Sequence, residues 1–176
     1  MNIIDLIQDK RFLGQEFLTW LWVTSEINSG LVEAEGLGQV EVRFVQRLVL
    51  DAGTGNTRRV VTCQGQDLDL AEARTALREG KKVYQAKLRL KADSREWLVN
   101  VKAEGFELTG IRGPKTFDPG EEEAESLAGR LLDRIAVTLE LTRIFDGLYA
   151  RFMAVRLTDA WNNAELPSLR RWLMED

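Results

Sequence analysis

Between Val40 and Leu50 the chain alternates. Val40, Val42, Phe44, Leu48 and Leu50 share one side of an extended segment, and Glu41, Arg43 and Arg47 share the other. Successive side chains of a strand point to opposite faces, so the pattern predicts a strand with one buried face. The period of two runs from Leu31 to Gly65. Inside it, DAGTGNT is a turn signal, and RRVVTCQ resumes the β-prone composition, which together predict a hairpin. The glycines of that turn are not a phosphate loop, because no Gly-Lys-Ser/Thr follows and no helix opens there.

On either side of this region the period changes. Phe12, Leu13, Phe17, Leu18, Trp20, Leu21 and Val23 form a wide apolar face at helical spacing, which predicts a helix over Leu13–Thr24, with a short helical turn at Ile3–Gln8. Trp20 and Trp22 have two readings, as core or as anchors for a partner. DLDLAEARTALREG predicts a short helix: Asp69 can cap it, Glu72 completes a capping box, and Gly80 stops it. KVYQAKLRLK, REWLVNVKA and FELTGIR then predict further strands. In the first, Gln85, Lys87, Arg89 and Lys91 fall on one side, and Tyr84, Ala86, Leu88 and Leu90 on the other.

The loop RGPKTFDPG leads into the longest predicted element, a helix over residues 121–157. Its acidic opening EEEAE suits the positive end of a helix dipole. Leu127, Leu131, Ile135 and Leu139 recur every four residues, and Leu141, Phe145, Leu148 and Phe152 continue the face, with Gly147 a candidate bend. Such a face is either buried on two sides or a dimer seam, with Leu131, Ile135, Phe145 and Phe152 as its contacts. LPSLRRWLMED predicts a last short helix with Pro167 at its start. The expectation is one α+β domain over residues 1–176. It would be an antiparallel sheet with a short inserted helix, an N-terminal Trp-rich helix and a long C-terminal helix packed on one face.

Composition narrows the chemistry. The 176 residues contain no histidine and one cysteine, Cys63. Triads built on histidine are therefore excluded, and so is a zinc or iron–sulfur site made within one chain. No catalytic residues, metal or cofactor are predicted. A lone cysteine fits a reducing cytoplasm. The opening MNIIDLIQDKR has no apolar signal region, and no apolar run approaches the roughly 18 residues of a membrane span.

Net charge is −4, yet it is unevenly spread. Residues 81–115 hold nine cations and four anions, whereas residues 118–140 hold two cations and seven anions. Alternate cations on a strand repeat about every 6.6–7 Å, similar to phosphate spacing on one nucleic-acid strand. The row Lys87, Arg89, Lys91 is thus either an ordinary solvated face or a surface for a polyanion, which Arg58 and Arg59 would extend. Tyr84 and Trp97 fall on the apolar side, which favours duplex-backbone contact over base stacking. A third reading is a metal-dependent nuclease, with Asp67 or Asp69 holding a metal and Lys87 of Gln85-Ala86-Lys87 positioning water.

The order GQDLDLAEARTALREGKKVYQAKLRL, EWLVNV, FELTGIRGPK and an acid-led long helix resembles the C-terminal half of the RdgC recombination-associated proteins. The likeness covers residues 40–157, and FLGQEFLTWLW is similar to a stretch of shorter members. Its marks are Gln66-Asp67-Leu68 and Gly80-Lys81. The resemblance implies a cytoplasmic, nucleoid-associated homodimer that binds duplex DNA with little sequence preference and limits a recombinase filament. It implies a DNA-facing role for Gln66 and matches Lys81 to a family lysine; the charge pattern adds Lys82, Lys87, Arg89 and Lys91 as candidate DNA contacts, with Arg58 and Arg59 as outliers. Gly65 stands where the family carries a basic residue, and family members are longer, so a closed ring is not implied. The alternatives are a protein-interaction or dimerisation module without DNA binding and the nuclease.

Overall fold

The computed structural model describes residues 12–52, 59–65, 70–114 and 127–175. The expected α+β architecture is present. Six antiparallel strands make one sheet: β1 (Leu31–Ala34), β2 (Gly38–Ala52), β3 (Arg59–Gln64), β4 (Lys82–Ala92), β5 (Arg95–Lys102) and β6 (Glu107–Arg112). The order is β1-β2-β4-β5-β6, with β3 also on β2. Glu41 pairs with both Leu31 and Lys91, and Leu48 with both Cys63 and Ala86. β1 and β3 therefore lie end to end along one edge of β2, and β4 lies along the other.

Alternation dictates the buried face. Val40, Val42, Leu48 and Leu50 of β2, Leu88 and Leu90 of β4, and Trp97, Val99 and Val101 of β5 join one apolar cluster. Two irregularities change the phase. Between Phe44 and Leu48, β2 advances four residues while β4 advances two, with Gln46 in a left-handed conformation (φ 60°). The parity survives, so Leu48 and Leu50 return to the core. Between Val49 and Leu50, β4 instead carries the extra residue. Tyr84, expected beside Ala86 and Leu88, is displaced by this bulge, and Val83 takes the buried position. Tyr84 is half-buried, and its hydroxyl donates to Glu104 Oε2 at 3.3 Å.

Helix α1 (Phe12–Ile27) covers this face. Trp20 and Trp22 are core, at 2% and 0% exposed. Phe17 stacks among Phe106, Phe145, Tyr149 and Phe152, with ring centroids 5.3–5.8 Å apart. Thr19 Oγ1 accepts the Val83 N–H at 2.9 Å, beside the β4 bulge. The predicted turn at Ile3–Gln8 lies outside the described residues.

Helix α2 (Leu70–Arg78) ends as its glycine predicts. Gly80 has φ 83°, its N–H donates to Leu77 O (2.9 Å), and Lys81 N–H donates to Ala76 O (3.0 Å). This is a Schellman motif. Asp69, the predicted cap at the other end, lies outside the described residues.

Helix α3 (Leu127–Arg156) is 30 residues long and continuous through Gly147. Gly147 therefore marks no break. A Cβ there would lie 2.9 Å from Glu35 O, so the glycine lets the β1–β2 loop approach the helix, and Glu35 N–H donates to Gly147 O at 2.9 Å. A π-helical turn (Trp161–Glu165) leads to α4 (Leu166–Met174), which has Pro167 in its first turn. Arg74 and Arg78 of α2 donate to carbonyls at the end of α4, with Arg78 Nε 2.8 Å from Leu173 O. These cations satisfy the terminal carbonyls and the negative end of the α4 dipole.

Among the described residues, no helix is long and apolar enough to cross a membrane.

Candidate nucleic-acid interface

The residues that alternate with the core form the other face of the sheet, on the side away from the helices. Cross-strand register fixes their neighbours. Arg43 of β2 stands directly opposite Arg89 of β4, Arg89 is opposite Leu98 of β5, and Leu98 is opposite Arg112 of β6. Lys91 sits between Glu41 and Glu96, Lys87 is opposite Asn100, and Gln85 is opposite Lys102. This face brings together Arg43, Arg47, Lys87, Arg89, Lys91, Lys102 and Arg112, with Glu41, Glu96 and Glu107 as the carboxylates among them.

The counter-charges are loosely held. Arg43 Nε lies 3.3 Å from Glu41, Arg89 Nε 3.7 Å from Glu96, and Lys102 Nζ 3.7 Å from Glu107. All six side chains are more than a third exposed, so these pairs add little to stability. Arg43 also donates to Ser29 O at 3.0 Å, and Lys87 donates to Gln46 Oε1. A depression of about 100 Å³ lies among Glu41, Arg43, Arg89, Lys91 and Glu96. Tyr84 and Glu107 hold the Lys102 ammonium above its usual pKa, which keeps it cationic. Like charges directly across a sheet are unfavourable, and an anionic ligand oxygen between Arg43 and Arg89 would relieve that repulsion.

The structure divides the residues singled out in the sequence. Lys87, Arg89, Lys91 and Gln85 share the exposed face. Lys81 does not: as the residue after the Schellman glycine it folds back under α2, is 7% exposed and pairs with Glu79. That pairing lowers the pKa of Glu79. Lys82 turns toward α1, where its Nζ is 3.5 Å from Glu16. Arg59 shares the side of Val61 and Cys63, and its charge acts on Glu79, so it stands by α2 and away from the cationic face. Arg58 and Gln66 lie outside the described residues.

Arg43, Arg47, Lys102 and Arg112 are further members of the face, beyond the residues that the sequence marks out. Their positions follow from alternation, but their proximity to Arg89 or Gln85 follows from strand order and register.

The four residues considered for a dimer seam also separate. Phe145 and Phe152 are monomer core, at 5% and 0% exposed, packed on Phe17. Leu131 and Ile135 are exposed. For the nuclease reading, Asp67 and Asp69 lie outside the described residues. Among the described residues no group of three or more Cys, Asp or Glu side chains is placed to hold a metal.

No protein-family model, curated protein or solved structure matches this chain.

Proposed function

We propose that the protein binds duplex nucleic acid, in the first instance DNA, through the exposed face of its sheet and without reading sequence. The observation that carries this reading is the direct opposition of Arg43 and Arg89, flanked by Lys87, Lys91 and Arg112. Phosphate oxygens supply the charge that this arrangement lacks, and such contacts position a duplex without identifying its bases. Tyr84, displaced by the β4 bulge, has its ring 5.9 Å from Lys102 Nζ, but it is half-buried and its hydroxyl engages Glu104, so backbone contact is favoured over stacking on single strands. In this reading the chain acts in the cytoplasm at the nucleoid, in recombination or replication and near a recombinase, as the RdgC resemblance implies. No catalytic step is assigned. A second reading, an interaction module, draws on the exposed leucines of α3.

The test is duplex binding across a salt series. Wild type should weaken steeply with salt. A variant carrying Arg43→Ala, Lys87→Ala, Arg89→Ala and Lys91→Ala should bind less tightly, with a log–log salt slope shallower by roughly 0.9 for each phosphate that is no longer neutralised. No binding by wild type at low salt, or an unchanged slope in the variant, would refute the reading.

A further inference from the structure

Over its first half, α3 is apolar on two opposite sides. Val137 and Leu141 are buried, at 7% and 0% exposed, while Ile135 and Leu139 are 46% and 65% exposed. Two residues along an α-helix turn by about 200°. Ile135 and Leu139 therefore stand on the side opposite Val137 and Leu141. Leu127, Leu131 and Leu132 extend this outer stripe, at 77%, 57% and 54% exposed. Ala128 and Thr138 fall within it, and Arg130 and Arg134 lie on its flank. The stripe presents on the order of 500 Å² of apolar surface, near the top of what a lone monomer exposes.

We propose that this stripe packs antiparallel against its counterpart in a second copy of the chain. Spacing is the first argument. Leu127, Leu131, Ile135 and Leu139 form an i, i+4 row, the ridge that interdigitates most often between helices. A two-fold axis at position 133 sets residue 127 against 139 of the other copy and 131 against 135, so every ridge position meets an aliphatic side chain. A self-complementary patch of this kind closes as a two-fold dimer. Area is the second argument, because two such stripes together bury about 1,000 Å², the threshold of a specific interface. The adjoining sequence offers no substitute: KTFDPGEEEAES, residues 115–126, has Phe117 as its one large apolar residue. Residues 1–11, MNIIDLIQDKR, have more and are the competing occupant. This dimer is independent of the nucleic-acid reading.

Sedimentation equilibrium of the full chain without nucleic acid tests it. Wild type should be a dimer that dissociates on dilution. Leu131→Arg with Ile135→Arg should weaken association by at least about 100-fold, the effect of removing two central anchors, with the thermal midpoint of the monomer unchanged. Mixing a Leu131→Cys chain with an Ile135→Cys chain should give more oxidised dimer than either alone, and buried Cys63 stays out of the reaction. Three results overturn the proposal. Wild type is monomeric at every concentration; the arginine variant remains dimeric, placing the interface elsewhere; or a monomeric wild type melts higher than the arginine variant, assigning the stripe to a segment of the same chain.

Discussion

The face of the sheet beneath α1 and the face turned away from it are made from alternate residues of the same strands. On the first, Leu88 lies at 0% exposure between its strand partners Phe44 and Val99. On the second, its chain neighbour Arg89 is paired in register with Arg43, with half its side chain in solvent. Apolar burial decides whether the chain folds, so the first face is constrained at every position. The second face carries none of that load. Its charges are free to be arranged for something else, and Arg43 and Arg89 stand opposite each other with Glu41 and Glu96 as loose, exposed partners. Folding does not require such a face, and this is the strongest argument that it meets a ligand.

The sharpest contrast comes from substituting within β4. Leu88→Ala should destabilise the protein by about 2–5 kcal/mol, because a fully enclosed side chain leaves a cavity. Arg89→Ala should stay within about 0.5 kcal/mol of wild type. Chemical denaturation of both variants measures the comparison, and similar losses would mean that the outer face is also part of the folding core. Next in size is Gly14→Ala, on the inner side. A Cβ at Gly14 would lie 2.0 Å from Ala103 O, a backbone atom that cannot swing aside. α1 would have to lift from the end of β5, at about 1–3 kcal/mol, seen as a lower thermal midpoint with binding to duplex retained.

Much of this contrast is legible in the sequence alone. The alternation of Val40, Val42 and Phe44 against Glu41 and Arg43 separates the two faces correctly, and so does Leu88 against Arg89. What alternation lacks is phase correction and register. Gln46, a polar residue where parity asks for an apolar one, is the trace of the first bulge. The second bulge leaves no such mark, and strict alternation sets Tyr84 on the wrong face. Gly80 is recognisable as a helix stop, but its consequence for Lys81 depends on the Schellman geometry that pulls that lysine under α2. The four-residue rhythm of α3 reads as one wide face, whereas Val137 and Leu141 turn inward and Ile135 and Leu139 outward. The opposition of Arg43 and Arg89 is beyond a local reading, since 46 residues separate them and only strand pairing brings them together.

The smallest effect is the most informative about the outer face. Arg89→Thr removes one of the two opposed guanidinium groups and puts a β-favouring residue in its place. The lost partner is Glu96, at 3.7 Å and half-exposed, which contributes little. Relief of the repulsion with Arg43 contributes a few tenths of a kcal/mol in the other direction. The variant should therefore be as stable as wild type or slightly more stable, and the gain should shrink as added salt screens the Arg43–Arg89 pair. Its affinity for duplex DNA should fall in the same buffers. Stability and binding moving in opposite directions is the signature of a charge kept for a ligand. A loss of stability that salt does not alter would show instead that Arg89 is held by its protein neighbours, and the outer face would then be an ordinary solvated surface.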